Sequence, residues 1–343
     1  MDYNLHTDFQ IEDKSYLALI KNKIREIGQE LELSEEEIGK LNIIATELIT
    51  NLVKYGQRDR EMLVKPILEH GVAGIEIISI DKGDGAKDPL RMMQDGYSTS
   101  GTKGEGLGAV QRLSDEFDIY THTTGTIVLS RVYQKNIDLY PKPKCRIEYA
   151  GIMVARKGEI VCGDQWLVDQ REDSFTLAMI DGLGHGPNAN QAAVAAINII
   201  KDAQKYDSPD EILSQIHENI KRTRGAVGLI AKVNFEKRNL IHCGVGNIGC
   251  KIISPVNVEN NKSLILFNGI LGLNVKRMNS TENNWDANKI IIMHSDGLNT
   301  RWDLNQYPGI YSRHPSIIAA ILYRDFNRRN DDITIVVART KRN

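Results

Sequence analysis

Apolar positions recur along this chain in two rhythms, and the switches between them divide it into elements. Weak alternation over residues 4–12 predicts a short strand. Helical periodicity follows over 13–31 and begins again after Ser34, where Ser34-Glu35-Glu36-Glu37 has the form of a capping box. On this second helix Leu41, Ile44, Ala45, Leu48 and Leu52 share one apolar face, while Glu47, Asn51 and Lys54, at i, i+4 and i+7, form a separate polar row. Strand-like runs at 62–69 and 72–81 are joined by His70-Gly71, and runs at 117–123 and 126–133 by Gly125, so both pairs read as hairpins. The order predicts an α/β sandwich whose mostly antiparallel sheet carries its first helices on one face. Hairpins in place of βαβ alternation argue against a dinucleotide-binding unit.

Residues 134–144, Gln-Lys-Asn-Ile-Asp-Leu-Tyr-Pro-Lys-Pro-Lys, break both rhythms, and two prolines among lysines predict a short, semi-extended linker. We therefore expect an α+β chain of two domains, at 1–134 and 145–343, joined by a linker at 135–144. The second opens with strands near 146–155, 160–164 and 174–181, then helices over 187–205 and 208–222. Strands near 226–234 and 240–244 follow, with more up to 290–296, a helix near 315–326 and a strand over 333–338. Short strands joined by turns predict a sandwich.

Composition narrows the function classes. The chain has 343 residues, enough for two cores, and a net charge of −2 with mixed signs, which leaves no nucleic-acid footprint. Cys145, Cys162, Cys243 and Cys250 contain no Cys-x-x-Cys pair, so we expect reduced core thiols of a cytoplasmic protein. No basic-then-apolar leader opens the sequence and no apolar run reaches the length of a membrane span, so no membrane association is expected.

The candidate chemistry of the first domain lies in two glycine loops. One is Ile78-Ser79-Ile80-Asp81-Lys82-Gly83-Asp84-Gly85; the other, about twenty residues on, is Gly104-Glu105-Gly106-Leu107-Gly108 at the start of an apolar-periodic helix. Asp81 can accept a hydrogen bond from an exocyclic amine, and glycines let backbone N–H groups approach phosphates beside a helix N-terminus. The same loops serve equally as turns of a β-rich domain, and Glu47 with Asn51 as a solvated helix edge.

Four motifs in order then carry a resemblance over nearly all of residues 1–134. Glu47-Leu-Ile-Thr-Asn51, Asp81-Lys-Gly83-Asp-Gly85, Gly104-Glu-Gly106-Leu-Gly108 and Gly125-Thr126 resemble the ATP-site motifs of the GHKL (Bergerat) ATPase/kinase superfamily. Asp95-Gly-Tyr-Ser-Thr-Ser-Gly101 and Arg112-Leu-Ser-Asp-Glu-Phe-Asp118 are similar more narrowly to RsbT-type switch kinases of the anti-sigma-factor branch. The resemblance implies that Glu47 is a general base and that Asn51 binds Mg²⁺. It also implies that Asp81 reads adenine with help from Thr126, and that Gly83, Gly85, Gly104, Gly106, Leu107 and Gly108 line the ATP. No histidine-bearing dimerisation helix precedes the domain, which argues for phosphorylating a partner.

In the second domain carboxylates stand at the ends of apolar runs: Gly163-Asp164, Asp181-Gly182-Leu-Gly-His185-Gly186, Ser295-Asp296-Gly297 and Asn330-Asp331-Asp332. Gathered at one edge they would repel one another, and divalent cations held by oxygen alone, Mg²⁺ or Mn²⁺, would relieve the repulsion. Each Asp-Gly taken singly is also an ordinary turn. Together the motifs resemble, over about 145–340, the metal sites of the SpoIIE/RsbX branch of PPM-type serine/threonine phosphatases, with an α/β/β/α sandwich fold. Arg222-Thr-Arg224-Gly-Ala226 and Gly246-Asn247-Ile248 are also similar to RsbX-like members. The resemblance implies two Mn²⁺ or Mg²⁺ ions. Asp181 would bridge them, the Gly182 carbonyl would add a ligand, Asp296 and Asp332 would be outer ligands, and Asp164 would act through an intervening water. The phosphate-binding arginine of eukaryotic relatives has no counterpart here, and His185 either caps the glycine turn or takes part in the chemistry.

These resemblances imply a bifunctional switch that phosphorylates and dephosphorylates Ser/Thr on a STAS-domain phosphoprotein of the anti-anti-sigma or stressosome type, with a sigma factor as a further partner. Two alternatives stand beside it. In one, the first domain only sequesters a sigma factor or activates a partner; in the other it senses ATP and ADP for the phosphatase.

Overall fold

The computed structural model describes residues 2–69, 71–85, 106–135, 146–203, 207–286 and 288–341. The backbone divides into two compact units, Met1–Pro143 with Asp303–Arg324, and Lys144–Trp302 with Asp325–Asn343. Gly104, Cys145, most of the linker read at 135–144, and the 95–101 segment lie outside the described residues.

In the first unit β1 (Thr7–Gln10), α1 (Tyr16–Glu30), α2 (Glu35–Tyr55), β2 (Arg58–Glu69), β3 (Val72–Lys82), α3 (Gly106–Leu113), β4 (Glu116–His122) and β5 (Gly125–Tyr133) follow one another. The capping box forms as read: Glu37 N–H donates to Ser34 Oγ at 3.3 Å, and Ser34 N–H to Glu37 Oε2 at 2.7 Å. Such a cap contributes about 1 kcal/mol, whereas each buried Leu or Ile contributes roughly 1.5–3 kcal/mol. Packing therefore holds α2 in place and the cap sets where it starts. The five strands pair antiparallel in the order β1-β2-β3-β5-β4. Met62, Val64, Ile75 and Ile77 face the helices, meeting Ile20, Ile24 and Ile27 of α1 and Leu41, Ile44 and Leu48 of α2.

The opposite face of this sheet is also buried, and it is polar at its centre. Glu76, fully buried, meets His6 Nε2 at 3.1 Å, Lys65 Nζ at 3.5 Å and Arg131 Nε at 2.7 Å. Burial pushes the Glu76 carboxyl up, but the charges of Lys65, Arg131 and His6 outweigh it and hold the group well below its usual range. Ser316 Oγ donates to Glu76 Oε2 at 2.9 Å, and Tyr323 Oη to Glu61 Oε1 at 2.5 Å. Those two residues lie on α6 (Pro315–Phe326), and Arg313 just before it reaches Asp118 Oδ1 at 3.1 Å. By its contacts the segment Asp303–Arg324 thus groups with the first unit, although in sequence it lies within the 145–343 range read as the second domain. Its polar partners on β2, β3, β4 and β5 account for the difference.

The second unit contains β6 (Ile147–Val154), β7 (Asp164–Gln170), β8 (Ser174–Gly182), α4 (Pro187–Asp202), α5 (Pro209–Asn219), β9 (Ala226–Asn234), β10 (Asn239–Val245) and β11 (Gly249–Ile253). Then come β12 (Lys262–Ser263), a β13 (Gly269–Ile270) and β14 (Asn274–Val275) hairpin, β15 (Thr281–Asn284), β16 (Ile290–His294) and β17 (Ile333–Thr340). Two antiparallel sheets result, ordered β15-β10-β9-β8-β7 and β12-β11-β16-β17-β6. Tyr149 on β6 and Trp166 on β7 meet edge to face, 6.4 Å between centroids. Ala193, Ala196 and Ile197 of α4 and Ile212 and Ile216 of α5 pack on Ala178, Ile180 and Ile230 of the first sheet. The small residues of α4 let its axis lie close to the strands.

One expected strand is absent. Residues 160–163 are loop, with Ile160 at 91% exposure, and Asp164 opens β7 where the sequence reading had it close a strand. Cys162, Cys243 and Cys250 are buried and free, and burial raises each thiol above its usual range, as expected of inert core thiols. Among the described residues no helix is long and apolar enough to cross a membrane.

Candidate nucleotide site and candidate metal centre

In the first unit the polar row of α2 is brought against the second glycine loop. A β-carbon built on Gly106, at the start of α3, would come 2.7 Å from Glu47 Oε2 and 4.0 Å from Asn51 Nδ2. A side chain there would push the Glu47 carboxylate aside, so Gly106, Leu107 and Gly108 begin their helix close beside that carboxylate. Glu47 and Asn51 are both half-buried, and Asn51 Nδ2 is buried with no hydrogen-bond partner among the described residues. An unsatisfied buried amide close to Gly106 suits a ligand with polar atoms.

Asp81 stands at the far end of β3. Burial raises its carboxyl to about 6, opposed by a hydrogen bond from the Thr126 backbone N–H and by the Arg324 guanidinium. Thr121 and Thr126 hydroxyls meet at 3.2 Å beside it. Two glycines make this end possible: a β-carbon on Gly125, at φ +130°, would fall 2.0 Å from the Asp81 carbonyl oxygen, and one on Gly85, at φ +65°, 2.1 Å from that of His122. Gly83 is buried and packs near Gln57. Arg324, within the same unit, donates to Thr124 Oγ1 at 2.7 Å and lies 3.4 Å from the Asp81 carbonyl oxygen.

In the second unit the β7–β8 register sets Asp164 opposite Asp181. Asp332, just before β17, accepts from Arg156 N–H through Oδ1 and from Gly163 N–H through Oδ2, each at 2.8 Å. Gly163 and Gly297 are glycines for this reason. A β-carbon on the first would meet Asp332 Oδ2 at 2.7 Å, and one on the second the Asp332 carbonyl oxygen at 2.1 Å. Asp296 receives Asn247 Nδ2 on Oδ2 at 3.0 Å. The Gly182 turn is pinned by Gly182 N–H to Gly163 O at 3.1 Å and Leu183 N–H to Gly225 O at 3.0 Å.

The four carboxylates feel one another. Burial first, then the charges of Asp332 and Asp296, raise Asp164 to about 7. Burial and the charges of Asp164, Asp296, Asp331 and Asp332 raise Asp181 well above the carboxylate range, and burial raises Asp332. Among the described residues no three acidic, histidine or cysteine side chains converge into a ready ligand cage. The donor set nonetheless fits a hard cation: it is all oxygen, mutually repelling, and Asp164 Oδ2 is buried with no hydrogen-bond partner among the described residues. His185 Nδ1 meets Glu159 Oε1 at 2.6 Å at the glycine turn. Asn247, Glu159, Asp331 and Arg224 were given no role from the sequence, although Asn247, Asp331 and Arg224 lie in motifs singled out there.

Comparison with known proteins finds two families along the chain, and the second match includes the 303–324 segment. Residues 12–131 match the family model described as a histidine kinase-like ATPase domain, and residues 171–341 match that of stage II sporulation protein E (SpoIIE). The Bacillus subtilis (strain 168) phosphoserine phosphatase RsbX is 31% identical over 144 residues, 42% of this chain and 71% of that protein. The serine/threonine-protein kinase RsbT of the same organism is 33% identical over 95 residues, 28% of this chain and 71% of that protein. A solved structure from "The bacterial stressosome: a modular system that has been adapted to control secondary messenger signaling" is 29% identical. It superposes with a TM-score of 0.53 over 57% of this chain and 100% of its own.

Proposed function

The chain belongs to the histidine kinase-like ATPase and SpoIIE phosphatase families, and on that premise we propose that it is a cytoplasmic bifunctional switch acting on one partner. Residues 1–134 phosphorylate Ser or Thr with ATP and Mg²⁺, and residues 145–343 remove the phosphate. The partner class is a STAS-domain protein of the anti-anti-sigma or stressosome type. Similarity to a kinase in one half and a phosphatase in the other supports antagonistic activities. The observation that carries the kinase half is Glu47 Oε2 beneath the Gly106 backbone.

In the first unit Glu47 accepts the proton of the incoming hydroxyl, whose oxygen forms the new P–O bond while the bond from the γ-phosphorus to the bridging oxygen breaks. Asn51 holds Mg²⁺ through its amide oxygen. Asp81 accepts from the adenine amine with Thr126 beside it, and the N–H groups of Gly106 and Gly108 face the phosphates. In the second unit two Mn²⁺ or Mg²⁺ ions, when bound, supply Lewis acidity and an activated water. Asp181, Asp296 and Asp332 hold them together with the Gly182 carbonyl, and Asp164 orients water. Asn247 fixes the Asp296 carboxylate through its hydrogen bond.

The test is transfer of labelled γ-phosphate to a STAS-domain protein, followed by release of the label when Mn²⁺ is added and ATP removed. A module that only binds its partner transfers no label. A phosphatase with a sensor domain releases label from a pre-phosphorylated partner and never adds it.

The raised Asp81 carboxyl gives a pH signature. With its pKa near 6 the group is ionised at pH 7.5 and mostly protonated at pH 5.5. Protonation removes acceptor capacity, so ATP affinity falls as pH drops, by about fourfold across this window. Calorimetry on the wild type and Asp81→Asn measures it. The variant should bind more weakly at pH 7.5 and report only the ligand's own titration. Parallel pH profiles would remove Asp81 from the adenine contact.

A further inference from the structure

We infer that Arg224 is the residue of the second unit that grips the phosphate group of the substrate, an inference that rests on the phosphatase reading above. The four carboxylates would hold cations, and a cationic side-chain donor on the equatorial oxygens would complete the grip on a phosphate ester. His185, on the turn itself, already meets Glu159 Oε1 at 2.6 Å.

Arg224 stands in the right place. It precedes Gly225, whose carbonyl accepts from Leu183 N–H at 3.0 Å, so the 220–225 loop is tied to the Asp181-Gly182-Leu183-Gly184 turn. Thr223 stiffens the loop, its hydroxyl donating to Ile220 O at 2.7 Å and accepting from Gly225 N–H at 3.1 Å. A β-carbon on Gly184, at φ +87°, would come 3.1 Å from Arg224 Nη1, so the guanidinium lies directly over that residue. The other side of Gly184 faces the carboxylates: a β-carbon on Gly163 would be 3.3 Å from Gly184 O and 2.7 Å from Asp332 Oδ2. One glycine therefore separates the guanidinium from the acidic cluster. Arg224 is exposed, and among the described residues it makes no hydrogen bond or ion pair. An arginine over the turn that follows Asp181, and paired with no carboxylate among the described residues, keeps its planar fork of donors free for a phosphate. Any side chain at Gly184 would crowd it and strain the left-handed turn.

The test uses the full chain with Mn²⁺, inorganic phosphate as the binding probe and p-nitrophenyl phosphate as the ester. Arg224→Ala should weaken phosphate binding by calorimetry, and raise KM, about 10- to 100-fold. It should change kcat less, and leave the melting temperature and Mn²⁺ affinity unaltered. Arg224→Lys should recover part of the phosphate affinity, because it restores charge without the fork. Unchanged phosphate affinity in Arg224→Ala overturns the assignment, as does an equal loss of Mn²⁺ affinity, which would mean that the residue acts through the metals. Arg156 lies on the loop beside Asp332, and loss on Arg156→Ala with none on Arg224→Ala transfers the role there. A wild type that neither binds phosphate nor cleaves the ester overturns the phosphatase reading itself, and this inference with it.

Discussion

Asp181→Asn should abolish phosphatase turnover while leaving ATP binding intact. Asp181 faces Asp164 across the β7–β8 ladder and is the carboxylate most surrounded by other acids, since Asp164, Asp296, Asp331 and Asp332 all act on it. Removing its charge takes anionic field from the point where two cations must be held together. Lewis-acid stabilisation in such sites supplies several kcal/mol, so the expected loss is about a thousandfold in kcat. The amide is nearly isosteric, and relief of repulsion among the acids should make the metal-free protein no less stable. Release of phosphate from a pre-phosphorylated partner measures the first effect, and thermal unfolding without metal the second. Wild-type turnover in Asp181→Asn with chelator present would contradict the metal centre.

The second large effect is expected in the kinase half. Glu47→Gln keeps the length of the side chain and its place beside Gly106, but it cannot accept a proton. General-base catalysis contributes roughly 10²- to 10⁴-fold, so phosphotransfer should fall by that factor with ATP affinity within about twofold of wild type. Single-turnover transfer from labelled ATP, set beside calorimetry, separates the two. Retained transfer would assign the proton to another group, and lost ATP binding would make Glu47 a nucleotide-binding residue only.

Features set by neighbours in sequence were legible, and those set by distant contacts were not. The Ser34–Glu37 capping box spans three positions, and the hairpins turn on Gly71 and Gly125, so local spacing carried them. The polar row Glu47–Asn51 was visible because one helix places both residues on one side. Asp164 was read at the wrong end of its strand, since apolar residues 160 and 161 imitate a strand that the exposed loop does not form. The company kept by the 303–324 segment was hidden, because Ser316 meets Arg131 across 185 positions and Tyr323 meets Glu61 across 262. A signal did exist in β3, where Glu76 stands within an isoleucine-rich run, as expected of a strand buried on both faces with a charge satisfied from elsewhere. Arg224 was noticed only as part of a motif. Its position depends on Gly184 and Gly225 both adopting left-handed backbone, which spacing alone does not reveal.

The central claim is that both activities work on the same phosphorylated residue, and ATP turnover in the presence of the partner tests it most directly. Three proteins are compared, wild type, Asp181→Asn and Glu47→Gln, each with ATP, Mg²⁺ and Mn²⁺ and a STAS-domain protein, following ATP consumption and partner phosphorylation together. Wild type should consume ATP continuously at a partial, steady level of phosphorylation. Asp181→Asn should drive the partner to full phosphorylation and then stop consuming ATP, and Glu47→Gln should leave it unphosphorylated. If Asp181→Asn goes on consuming ATP at the wild-type rate after phosphorylation has reached its plateau, the two domains do not oppose one another on one substrate.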